Sequence, residues 1–180
     1  MRVVTWLPGH GWRDGHWDSG AVSPSGWAEA DLVRDVVAVA WRECERQHIP
    51  TEVASTGTYH QRGEDAEAGL GSTLIVQLHA DAVAAEVGPD ITRVFYWPES
   101  SRGGEAADKI ARALDAVVPW DVAVYAADER WPGPRSCLAA VGKTASVLVE
   151  LGFTDGARGR VELPRLVEKL GVALAVGVAV

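Results

Sequence analysis

Short apolar runs rich in β-branched residues recur along this chain with helix-like stretches between them, an alternation that restricts it to folds layering helices on a sheet. Val3 to Leu7 is one such run, closed by Pro8 and Gly9, and Ser72 to His79 is the strongest. Thr92 to Trp97, Val122 to Tyr125, Ser146 to Leu151 and the shorter Thr51 to Ser55 read the same way. Between them, Trp27 to His48 repeats apolar residues at Ala28, Leu32, Val36, Val39 and Ala40, the stripe of an amphipathic helix. Further helices are predicted from about Gly103 to Val117 and from Leu163 to Val178, with a short one around Arg62 to Ala68. The predicted class is therefore α/β, a three-layer α/β/α arrangement with a mostly parallel mixed sheet of about six strands, in one domain spanning 1–180. Gly11 to Gly26 has no period and is rich in Gly, Trp, Asp, Ser and Pro, which predicts a loop over one end of the sheet.

A chain of 180 residues can bury about two-thirds of its unfolded surface and needs no staples. Its net charge of −8, without a basic run, argues against nucleic-acid or anionic-membrane partners, because phosphate contacts need clustered cations. Cys44 and Cys137 have neither zinc-knuckle nor framework spacing and read as small buried hydrophobes. The apolar run after Met1 is too brief for a signal peptide, and Gly171 to Val180 is half the ~20 residues a bilayer span requires. The expectation is a monomer made in the cytoplasm without a signal peptide and without membrane insertion.

Ligands of open α/β sheets gather at the carboxyl ends of strands. Three chemically competent residues fall at such ends: His10, His79 and Glu150. Glu29, in the first turn of the helix after the first loop, belongs to the same edge. Two histidines and a carboxylate with an open fourth position form a recurrent catalytic zinc site. A second carboxylate beside it can act as general base. This assigns His10, Glu29 and His79 as ligands of Zn2+ and Glu150 as the base. Each residue also has a plain reading. His10 fits a hydrogen-bonded loop histidine, Glu29 a carboxylate favoured by the helix dipole, and His79 a core histidine. Glu150, inside Val-Leu-Val-Glu-Leu, is costly to bury without a partner.

Four segments in order resemble the zinc-dependent N-acetylmuramoyl-L-alanine amidases of the amidase_3 group: Pro8-Gly9-His10-Gly11, the stretch from Asp18 to Glu29, Gln77-Leu78-His79-Ala80-Asp81-Ala82, and Val147-Leu148-Val149-Glu150-Leu151-Gly152-Phe153. The resemblance implies an enzyme that hydrolyses the amide between N-acetylmuramic acid and L-alanine in peptidoglycan and acts on the cell wall. The absence of recognisable accessory segments points to an endolysin, a bacteriolytic enzyme, more than to a host remodelling amidase. A zinc carboxypeptidase or deacetylase, and a non-catalytic wall-binding module, are the alternatives.

The chain departs from the pattern in places. Leu7 replaces the aspartate that usually precedes Pro-Gly-His, so an acid that could orient a ligand is missing or supplied elsewhere. The loop between Gly11 and Asp18 is enlarged and contains Trp12, His16 and Trp17. Asp81 stands for an asparagine, and Asp155-Gly156 for Ser-Asn. Arg62 lies where the family commonly has an arginine, with a structural role. Trp6 and Trp41 are expected to pack, while Trp12, Trp17 and Trp27 are candidates for lining the substrate cleft, since an indole can pack a core or stack on a sugar.

Overall fold

The computed structural model describes residues 3–13, 15–55, 57–68, 71–82, 90–142, 144–156 and 158–179. Its strands are β1 (Val4–Pro8), β2 (Gly11–Arg13), β3 (His16–Asp18), β4 (Thr51–Val53), β5 (Leu74–Asp81), β6 (Ile91–Tyr96), β7 (Asp121–Ala126) and β8 (Ser146–Phe153). The helices are α1 (Glu29–Arg46), α2 (Tyr59–Ala68), α3 (Ser101–Asp115), α4 (Pro132–Ala139) and α5 (Gly159–Ala179).

Six strands form one sheet in the order β4-β1-β5-β8-β6-β7. Every neighbouring pair is parallel except β6 with β8. The predicted mixed, mostly parallel sheet is thus present, and its one reversal brings the amino end of β6 to the edge where β1, β5 and β8 end. β5 is buried from Leu74 to Ala80, as a strand covered on both faces must be. Val76, Leu78, Val147 and Val149 pack with residues of α1, α3 and α5 on one face. Leu7 and Ile75 meet Ala66 of α2, and Phe95 and Leu148 meet Leu138 of α4, on the other. Helices therefore cover both faces, giving three layers.

The segment expected to be an aperiodic loop contains an antiparallel hairpin, β2 with β3, in the register Gly11↔Asp18, Trp12↔Trp17 and Arg13↔His16. Strands of three residues are too short to display a period of two, which is why composition alone reads as loop. Helix α5 begins four residues before its predicted start and contains Pro164. Trp6 packs as expected and donates from Nε1 to Thr51 Oγ1 (2.7 Å). Trp41 does not, standing 39% exposed on α1. Neither cysteine is in a disulfide; Cys44 is buried and Cys137 partly so. No helix among the described residues is long and apolar enough to cross a membrane.

Candidate metal centre

The chain leaves β1 through Gly9, whose N–H donates to Leu78 O (2.7 Å) and so keeps the backbone against β5. A Cβ at Gly9 would lie 2.6 Å from the His79 ring, so only glycine fits. His10 then takes a left-handed conformation, φ 59°, a state costing a non-glycine residue roughly 1–3 kcal/mol that its surroundings must offset. Arg62 supplies the clamp. Its buried guanidinium donates to Pro8 O (2.7 Å), His10 O (3.1 Å) and Gly57 O (2.9 Å).

Asp18, at the end of the hairpin, places Oδ2 2.9 Å from His10 Nδ1. Its Oδ1 accepts from Gly20 N (3.1 Å). With Nδ1 engaged, Nε2 is the nitrogen His10 turns inward. Asp18, eight residues after His10, thus sets a carboxylate against Nδ1, while Leu7 itself is buried against α2. Gly20 has φ 63°, and a Cβ there would lie 2.6 Å from both Glu29 Oε2 and His10 Cδ2.

Glu29 opens α1 and is buried. Its Oε1 accepts from Ala80 N (3.0 Å) and its Oε2 from Ala21 N (3.0 Å). His79 Nδ1 lies 3.1 Å from Oε1, and His10 Nε2 lies 3.4 Å from Oε2. Burial by itself pushes the carboxyl up, but the His79 hydrogen bond, the charge of both histidines and the Ala21 N–H outweigh it. The carboxyl is held below its ordinary range.

His10, Glu29 and His79 each offer a ligand atom, all within 4.8 Å of one another. Tetrahedral ligands ~2.1 Å from a zinc ion lie about 3.4 Å apart, and two imidazoles with a carboxylate suit zinc. The 3.1 and 3.4 Å spacings and the two glycines that leave no Cβ in the way fit such an ion. The three residues could therefore hold a metal.

Glu150 pairs in register with His79 on β5. Its Oε2 is buried and has no hydrogen-bond partner among the described residues. Burial pushes its carboxyl well above the usual range, Asp81 and Glu29 add to this, and Arg93 opposes it. It faces a cleft of about 240 Å³ also lined by His79, Asp81, Arg93 and Trp131. Sequence reading missed Asp18, although it opens one of the matching segments, and missed Arg93, since strand ends were searched only at their carboxyl sides.

The tryptophans divide. Trp12 and Trp17 form an exposed cross-strand pair with ring centres 6.1 Å apart. Trp27 packs against the main core and donates from Nε1 to Arg160 O (3.0 Å). That carbonyl lies four residues before Pro164, which has no N–H to offer it. Trp27 thus completes α5. His16 is exposed on β3 and outside the metal group.

No family model matches the sequence, and no curated protein matches it. Solved structures do. The N-acetylmuramoyl-L-alanine amidase AmiC2 of Nostoc punctiforme superposes with a TM-score of 0.79 at 19% identity, over 98% of this chain and 94% of that one. The catalytic domain of CwlV, an N-acetylmuramoyl-L-alanine amidase of Bacillus (Paenibacillus) polymyxa var. colistinus, gives 0.78 at 18%, over 99% and 96%. The catalytic domain of an endolysin targeting Clostridia difficile gives 0.76 at 19%, over 99% and 97%. Six strands in this order and five helices among the described residues, with agreement over nearly the whole of each chain, lead to one conclusion: the protein has the fold of the N-acetylmuramoyl-L-alanine amidases.

Proposed function

We propose that the protein is a zinc-dependent N-acetylmuramoyl-L-alanine amidase that hydrolyses the amide between the lactyl group of N-acetylmuramic acid and L-alanine in peptidoglycan. The observation that carries this reading is the His10, Glu29 and His79 group with, on the neighbouring strand, the buried Glu150 Oε2, which has no hydrogen-bond partner among the described residues. In this reading zinc, held by those three residues, supplies Lewis acidity that polarises the scissile carbonyl and lowers the pKa of water from about 15.7 to near 7.

The chain's own residues do the rest. Glu150 takes the proton of the attacking water and returns it to the alanine nitrogen as the C–N bond breaks. A site that raises its pKa suits a group that must hold a proton between these steps. Asp18 keeps His10 in the tautomer and orientation of a ligand. Trp12 and Trp17 offer flat apolar faces for stacking on sugar rings, whereas the donor of Trp27 is already engaged. The narrower role is that of an endolysin acting on the wall as a monomer. Likeness to an endolysin catalytic domain over nearly all of both chains supports it.

Digestion of purified peptidoglycan, with new amino and lactyl ends identified by mass, tests the reading. Chelation is expected to abolish release of L-alanine amino termini, and added zinc to restore it. Glu150→Gln is expected to retain zinc and lose at least ~10²-fold in rate, the usual contribution of a general base. Release that persists in chelator, or in Glu150→Gln, would falsify the assignment.

A further inference from the structure

Because β6 runs opposite to β8, its third residue reaches the functional edge of the sheet. Register pairs Arg93 with Glu150, and Glu150 with His79. Paired residues share a face, so the three side chains form a row across three adjacent strands, and all line the same cleft. Arg93 is the one cationic side chain lining it among the described residues. Its guanidinium packs over the rings of Phe153 (4.9 Å) and Trp131 (5.4 Å). Asp81 Oδ2 forms an ion pair with Nη1 at 3.6 Å, longer than a hydrogen bond. The guanidinium makes no hydrogen bond among the described residues, and the side chain is only 22% exposed. A cation held by two aromatic faces, with its N–H groups unspent at a cleft, is prepared for a planar anion.

We propose that Arg93 binds a free carboxylate on the leaving peptide, borne by the residue after the L-alanine, and thereby selects stem peptides whose second residue is not amidated at its α-carboxyl. This inference rests on the amidase reading above. Glu150 must reach the leaving nitrogen to return its proton, so the leaving peptide lies on the Glu150 side of the metal group, toward Arg93. Neighbouring strands are about 4.8 Å apart. An extended chain advances about 3.5 Å per residue. A carboxylate one residue beyond the alanine therefore falls within the arginine's reach.

Turnover of the γ-methylamide of N-acetylmuramoyl-L-alanyl-D-glutamate, whose one peptide carboxylate is the α-carboxyl, is compared with that of the same compound amidated at the α-carboxyl, using zinc-loaded wild type, Arg93→Gln and Arg93→Lys. The wild type is expected to prefer the acid by about ten- to a hundredfold in kcat/KM, expressed in KM, as befits one charge-assisted contact. The ratio should fall close to one in Arg93→Gln and recover in part in Arg93→Lys. As a ratio it does not depend on the fraction of protein folded. Equal use of both compounds by the wild type, or an undiminished ratio in Arg93→Gln, overturns the proposal. Calorimetry of the γ-methylamides of L-alanyl-D-glutamate and L-alanyl-D-isoglutamine on Glu150→Gln protein reports separately from hydrolysis. Equal affinities there also overturn it, whereas failure to cleave either muramyl compound counts against the amidase reading alone.

Discussion

Glu29 shows how one residue meets two demands. A carboxylate in the first turn of a helix is favoured by the dipole whatever its use, and in α1 that position also delivers the side chain between His10 and His79, where backbone N–H groups of Ala21 and Ala80 hold both oxygens. Its place in a motif made it legible in sequence. Asp18 was not legible as an orienting acid, because its pairing with His10 depends on the hairpin bend. Its role gives a prediction at this scale. Asp18→Asn keeps the shape and loses the charge, so zinc affinity is expected to fall about 10- to 100-fold, the usual effect of removing such a partner. Competition against a chromogenic chelator measures this, and an unchanged affinity would remove Asp18 from the site.

Among the elements, α2 illustrates a short helix whose main task is to carry one side chain. Among its described side chains Ala66 enters a minor cluster, and Arg62 joins the end of β1, the His10 turn and the Gly57 loop through three separate donors. Arg62→Ala leaves these carbonyls without their donor and is expected to cost about 2–5 kcal/mol, the range for breaking a buried charged network. That corresponds to several degrees in Tm, at roughly 2–4 °C per kcal/mol for a chain of this size. Arg62→Lys should recover less than half, because an ammonium cannot span three acceptors set by a planar fork. Thermal melts of both variants decide it. A Tm close to wild type for Arg62→Ala would mean that the turn holds itself. The helix was predicted only as a short possibility, and its load was read simply as structural. The three carbonyls it serves are brought together by β1, not by its own sequence.

At the scale of the whole molecule, the layer formed by α1, α3 and α5 is the thick side of the core, and its close packing is set by glycines in α5. A Cβ at Gly171 would collide with Val39 Cβ and lie 2.9 Å from Val36 O of α1. Helix propensity favours alanine over glycine by about 1 kcal/mol, but overpacking against a neighbouring backbone costs about 1–3 kcal/mol. Gly171→Ala is therefore expected to lower Tm, and a raised Tm in thermal denaturation would show that α5 can shift away without penalty. Periodicity and β-branched runs determined the alternation of helices and strands, the α/β class and the strands that carry His79 and Glu150, because these signals act within a few residues along the chain; the predicted ends fell short, since β5 runs on to Asp81 and β8 to Phe153. Only the tertiary structure decided that β6 enters the sheet antiparallel and sets Arg93 beside Glu150, that Asp18 meets His10 Nδ1, and that Trp27 serves the Arg160 carbonyl. Each of these depends on hydrogen-bond register and packing between segments distant in sequence, and no local pattern encodes them.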